Sequence, residues 1–226
     1  MAKILSNNQL LLRECVKQEF NESDFNDESE FFEFFAVSQT LKKYNLTDDE
    51  IENGITGGGN DGGCDGIYVL LNGDLVNADQ VSNLKAPKGS TLNLSIIQAK
   101  NETSFSEDAI MKFKTVSENL LCLANDLDKF AQRYNERVIE GFRVFRDTLT
   151  KLIRTQLKLN INFFYVALAN ELHPNVQQQA EELKQIIIRE YPSATIEIKF
   201  INADTLMELY NTEIDSSANL TLEEHP

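Results

Sequence analysis

At 226 residues and 42% hydrophobic content, the chain is long enough for one domain with a substantial core, and it contains no apolar run long enough to span a bilayer. Its 36 acidic and 21 basic residues leave a formal net charge of −15, which excludes a surface that attracts nucleic acid everywhere. Three widely spaced cysteines (Cys15, Cys64 and Cys122) read as reduced thiols, and two isolated histidines (His173 and His225) argue against a Cys/His zinc site. The short polar start is no secretory signal, so the expected location is cytoplasmic, without a membrane partner.

The first element is an amphipathic helix over about 4–20, with Leu5, Leu12, Val16 and Phe20 at helical spacing. A polar connection follows, and Ser29 is the expected cap of a second helix from Glu30 to Tyr44. Its aromatic cluster of Phe31, Phe32, Phe34 and Phe35 must be largely buried. Glu33, inside that cluster, reads either as an exposed gap in the apolar stripe or as a carboxylate aimed at a site from a rigid helix. Thr47–Glu52 is a capped helical turn, and a glycine-rich loop runs from Gly57 to Gly66. No Gly-Lys-Ser/Thr follows, so the loop does not match a Walker phosphate cradle. Ile67–Leu71 is a strand, Asn72-Gly73 a two-residue hairpin turn, and Leu75–Ala78 an antiparallel return. Residues 79–90 form a loop and Thr91–Lys100 the third strand.

Ser106 is the expected cap of a helix reaching about Ala124, and a longer helical region spans Leu127–Leu157 with a break at Gly141. Between Lys129 and Lys158 basic residues outnumber acidic ones. Lys129, Arg133 and Arg137 are four apart, as are Arg154 and Lys158, which is the spacing of one helical face. That face is either solvated surface or a set of phosphate contacts. Residues 159–169 are apolar on both parities, as in a central parallel strand. His173-Pro174 opens a helix to Tyr191, Thr195–Ile201 is a half-exposed strand, and Asp204–Tyr210 is a short helix before a polar tail. The order implies an α/β fold with a mixed central sheet. The expected division is 1–28 (helix and connection), 29–212 (main domain) and 213–226 (tail, read as the start of a further region).

Two stretches carry chemistry. Gly57–Tyr68 is a glycine loop leading through Asp65 into a strand, and Ser95–Lys100 is a strand ending in Gln-x-Lys. Strand side chains alternate, so Gln98 and Lys100 share a face. If the strands are neighbours, Asp65, Gln98 and Lys100 converge as one carboxylate, one amide oxygen and one ammonium, suited to a divalent cation and a phosphate. Asp61 is the rival of Asp65, four residues earlier in the same loop.

This ordered set resembles the PD-(D/E)XK nuclease superfamily, in its Mrr-like branch where Gln replaces the second acid. Gly57–Tyr68, Ile97-Gln98-Ala99-Lys100 and Ser106-Glu107-Asp108 further resemble the N-terminal nuclease region of AIPR (abortive infection phage resistance) proteins. The resemblance implies a restriction-endonuclease-like core and a metal-dependent endonuclease of phage defence, acting on DNA in preference to RNA. By that resemblance Asp65, Gln98, the Ala99 carbonyl and Glu33 (or Glu30) would hold Mg²⁺ or Mn²⁺, and Lys100 would serve the attacking water. The alternative is an inactive module of the same fold that senses or binds a protein. A homodimer through the first helix, and a further C-terminal region or phage-derived trigger, are further expectations from fold.

Overall fold

The structure, a computed structural model, describes residues 5–213. Its sheet has the order β2-β1-β3-β4-β5, built from β1 (Gly66–Leu71), β2 (Asp74–Leu75), β3 (Thr91–Lys100), β4 (Lys158–Ala167) and β5 (Thr195–Ile201). β1 pairs antiparallel with both β2 and β3, whereas β3, β4 and β5 run parallel, so the sheet is mixed as the element order implied. Asn72 and Gly73 both adopt positive φ (56° and 104°), the backbone that a two-residue hairpin turn demands. The return strand is shorter than expected, because the chain leaves β2 for a 3₁₀ segment at Ala78–Asn83.

Helices cover both faces. On one side lie α1 (Asn7–Glu22), α2 (Glu28–Leu41) and α7 (Ala203–Asn211), with α3 (Asp48–Gly54) beside β1. Here Leu12, Phe32, Phe35 and Leu206 enclose Tyr68, Ile97 and Val166 from the sheet. On the other side α4 (Glu107–Val116), α5 (Glu136–Lys151) and α6 (Pro174–Glu190) enclose Ile67, Leu94, Phe163 and Tyr165. β4 is buried on both faces from Ile161 onward, which explains why it carries apolar residues at both parities. Phe31, Phe32 and Phe35 are buried and Phe34 partly so. Among the described residues no helix is long and apolar enough to cross a membrane.

Several helix limits differ from the sequence reading. α1 begins at Asn7, where Ser6 and Gln9 form a reciprocal capping box; the expected start at residue 4 lies outside the described residues, as does the tail from 214. Its stripe residues Leu12 and Val16 are buried in the chain's own core, so that stripe does not face outward toward a second copy. The cap of α2 is Asp27, whose Oδ1 accepts the N–H groups of Ser29 and Glu30. Ser106 sits at the start of α4 but its side chain makes no capping bond, because its Oγ turns to the Tyr165 hydroxyl, 3.3 Å away. α4 ends at Val116 and continues only as a π-helical turn, Ser117–Leu121.

The long helix expected over 127–157 is three pieces: a 3₁₀ turn (Leu127–Phe130), α5, and a second 3₁₀ turn (Ile153–Thr155). The interruption falls at Asn135, which caps α5 by accepting from Val138 N–H. α5 runs unbroken through Gly141. A Cβ there would lie 2.8 Å from Ile67 Cγ2, so the glycine allows close packing on β1 rather than breaking the helix.

Candidate active site

β1 and β3 are neighbours, and the register Gly66↔Ile97 sets Asp65 at the carboxyl end of β3. Asp65 donates its N–H to the Ile97 carbonyl at 2.8 Å, and its Oδ2 accepts the Ala99 N–H at 2.7 Å. The same oxygen lies 3.5 Å from Lys100 Nζ, so both bonds fall on Oδ2. Asp65 is 2% exposed, while the Lys100 side chain keeps 34% of its surface. Gln98 is buried beside them, and among the described residues its Oε1 has no hydrogen-bond partner. A buried amide oxygen left unpaired costs about 1–3 kcal/mol, so an occupant that it can meet is favoured. Alternate residues of a strand turn their backbone groups to the same neighbour, which places the Ala99 carbonyl on the Asp65 side.

The electrostatics follow from this burial. Burial pushes the Asp65 carboxyl up, opposed by the Lys100 charge and the Ala99 N–H. For Lys100, burial works downward but the carboxylates of Asp65, Glu33 and Asp61 outweigh it, so its pKa is raised and it stays an ammonium. Glu33 stands on α2, against the other face of the sheet, where its charge interacts with those of Asp65 and Lys100. Burial, and then the Asp65 charge, push it up to about 7. Glu33 is half-buried and lines the acidic cleft with Glu30.

Glu33 gives a pH prediction. Its folded pKa lies above its ordinary value, so between the two the folded state holds more protons than the unfolded one, and stability falls as pH rises through that window. In metal-free protein Glu33→Gln should therefore raise the melting temperature relative to the parent at about pH 8 and leave it nearly equal at about pH 4.5. An offset independent of pH would place the Glu33 carboxyl in solvent.

The glycine loop is held from beneath. Asp61 Oδ1 accepts the Gly63 N–H at 2.6 Å, so Asp61 shapes the loop, though its charge still reaches Asp65 and Glu33. The Asn135 amide donates to the carbonyls of Thr56, Gly57 and Gly59 at 3.0–3.1 Å, and Arg137 donates to the Ile55 carbonyl at 2.7 Å. Gly58, Gly59, Gly62 and Gly63 all have φ between 66° and 84°, a backbone that side chains other than Asn and Asp rarely tolerate. Asn135 was not foreseen; the only signal for it is its place as an Asn-Glu helix start.

Two clefts open on either side of the loop. One, of about 610 Å³, is walled by Glu30, Glu33, Glu52, Asp24 and Arg137. The other, of about 510 Å³, lies against α4 and includes Asp61, Gly63, Lys112, Arg133 and Tyr134. Glu30 thus shares a cleft with Glu33, but it is Glu33 whose charge couples to Asp65 and Lys100.

The basic residues of 129–158 do not form one helical face. Lys129 lies in a 3₁₀ turn, Arg133 precedes α5 and Arg137 is in its first turn. Arg143 is paired with Asp128 and Glu140, and Arg146 donates to the Leu123 and Asn125 carbonyls. Arg154 and Lys158 stand at the amino end of β4, where Lys158 registers with Thr91. That is a strand length from Lys100, roughly 30 Å at about 3.3 Å per residue.

The donors suit a hard divalent cation. Asp65, Glu33, the orphaned Gln98 Oε1 and the Ala99 carbonyl are all oxygen ligands of the kind Mg²⁺ and Mn²⁺ take. Among the described residues no group of three or more His, Cys, Asp or Glu side chains is arranged for a metal, so a cation here would depend on the amide and backbone oxygens. No protein-family model, curated protein or solved structure matches the chain.

Proposed function

We propose that the chain is a metal-dependent phosphodiester hydrolase, an endonuclease acting on DNA in preference to RNA, in keeping with its resemblance to PD-(D/E)XK and AIPR nucleases and their role in phage defence. The observation that carries this reading is the pairing of buried Asp65 with half-exposed Lys100, beside the unpaired Gln98 Oε1, at the carboxyl end of β3. Asp65 and Gln98, with Glu33 and the Ala99 carbonyl, would hold Mg²⁺ or Mn²⁺. Such an ion neutralises a non-bridging oxygen and acidifies a bound water. Lys100, kept cationic by three carboxylates, would orient that water and offset the charge that builds on the phosphorus oxygens. Glu33, pushed up to about 7 by burial and then by the Asp65 charge, would give up its proton to hold a cation, so ion binding near neutral pH should release protons.

Incubating supercoiled plasmid and a single-stranded RNA with purified protein tests this reading, with Mg²⁺, Mn²⁺ or EDTA. Nicking with either ion and none in EDTA supports it. A folded protein that cuts neither substrate turns the weight to the second reading, an inactive module that binds a protein. The glutamine in an acidic position and the lack of a three-residue Asp/Glu/His/Cys cluster favour that reading.

A further inference from the structure

We infer that the substrate strand enters through the cleft between the glycine loop and α4, where Lys112 and Arg133 with the free loop amides bind its phosphates, and that the opposite cleft excludes it. This inference rests on the hydrolase reading and names the path to the same site.

The two clefts differ in charge. The wall of Asp24, Glu30, Glu33 and Glu52 is countered by Arg137 alone, and Arg137 is already bonded to the Ile55 carbonyl. A polyanion is repelled there. The α4 cleft sets Lys112 and Arg133 against Asp61 and Asp108, and Asp61 spends one carboxylate oxygen on the Gly63 N–H. Lys112 and Arg133 are both exposed, and among the described residues neither forms an ion pair. The Arg133 guanidinium rests on the Tyr134 ring, 5.6 Å from its centroid, which steadies it at the cleft wall.

The loop presents donors to that cleft. Its carbonyls at Thr56, Gly57 and Gly59 are taken up by Asn135, and the Asn60 carbonyl accepts the Asn135 N–H at 2.9 Å. Of the loop residues that line this cleft, Asn60, Asp61 and Gly62 have N–H groups with no acceptor among the described residues. Asn60 and Gly62 hold positive φ on either side of Asp61, and free amides grouped in such a turn are suited to an anion.

The cleft also leads to the site. A Cβ on Gly63 would lie 2.9 Å from Lys112 Cδ and 3.0 Å from Gln98 Nε2. The side chains of Lys112, from the cleft, and Gln98, from the site, therefore both pack against Gly63. All these contacts go to the backbone of the strand, so they read phosphate and not base.

The test is fluorescence anisotropy with labelled single-stranded DNA and RNA of one sequence, in EDTA so that nothing is cut. Lys112→Ala and Arg133→Ala should each weaken binding roughly fivefold and lower the log–log salt slope by about 0.7. Lys112→Arg should restore both. Arg154→Ala, an exposed cation at the far end of the sheet, should change neither. Equal losses on DNA and RNA place the contacts on phosphate; a loss on RNA alone would assign them to the 2′-hydroxyl and overturn the phosphate assignment. If the parent cleaves but Arg154→Ala weakens binding as much as Lys112→Ala, the strand path is wrong and the hydrolase reading stands. A parent that neither binds nor cuts either strand removes both.

Discussion

Asp65→Asn should abolish the metal-dependent activity, by about 10³-fold or more, while leaving the protein folded. Asparagine keeps an acceptor for the Ala99 N–H, so the β1–β3 junction is retained, but the carboxylate charge is gone. Lys100→Ala should cost about 10²–10³-fold in the same assay, because positive charge is lost where the transition state becomes more negative. A second readout separates the two residues. Stabilisation of the parent by Mn²⁺ in a thermal melt should vanish in Asp65→Asn and persist in Lys100→Ala. If Asp65→Asn is still stabilised by Mn²⁺, Asp65 is not the ligand, and Asp61 becomes the residue to replace next.

The largest loss of stability from one small substitution is expected at Gly54, the last residue of α3. A Cβ there would lie 2.1 Å from Cε1 of Tyr68 and 2.4 Å from Cζ. The Tyr68 ring cannot step aside, because it is 1% exposed and its hydroxyl donates to the Ile51 carbonyl. Gly54→Ala must therefore displace α3 from β1, at a cost of about 3 kcal/mol, or roughly 6–12 °C in melting temperature. Tyr68→Leu, destabilising by itself, should recover part of the loss when the two are combined. Strict additivity would show that the alanine is accommodated without touching the ring.

The site was more legible than the helices around it, and the reason is geometric. Strand parity carries over short distances, so Gln98 and Lys100 share a face wherever the strand lies, and one antiparallel pairing brings Asp65 to them. The limits of β3 and β5 matched because turn residues bound both: Gly89-Ser90 before Thr91, and Pro192-Ser193 before Thr195. Helical spacing at 129–137 persisted through a segment that is not helical, because periodicity does not register that Asn135 caps a new helix. Gly141 shows the converse error: a glycine required by packing on Ile67 was read as a breaker. Lys112 and Asn135 were invisible for a third reason. Each acts on the glycine loop from a distant stretch of chain, and only the packing of α4 and α5 against that loop brings them there.

The parallel β3–β4 pairing also dictates an order of assembly. Asp65, Gln98 and Lys100 are all synthesised within the first hundred residues, and the antiparallel β1–β3 pairing that joins them is comparatively local. The other edge of β3 meets β4 only after residues 101–157 have emerged, and β4 in turn waits for β5. Until then the nascent chain holds the reactive groups together beside an open, apolar strand edge, which is the part of the molecule most prone to misassociation. Closing that edge is the slow, non-local step of folding, so the rate at which folded protein appears should be governed by β4, not by the β1–β3 pairing.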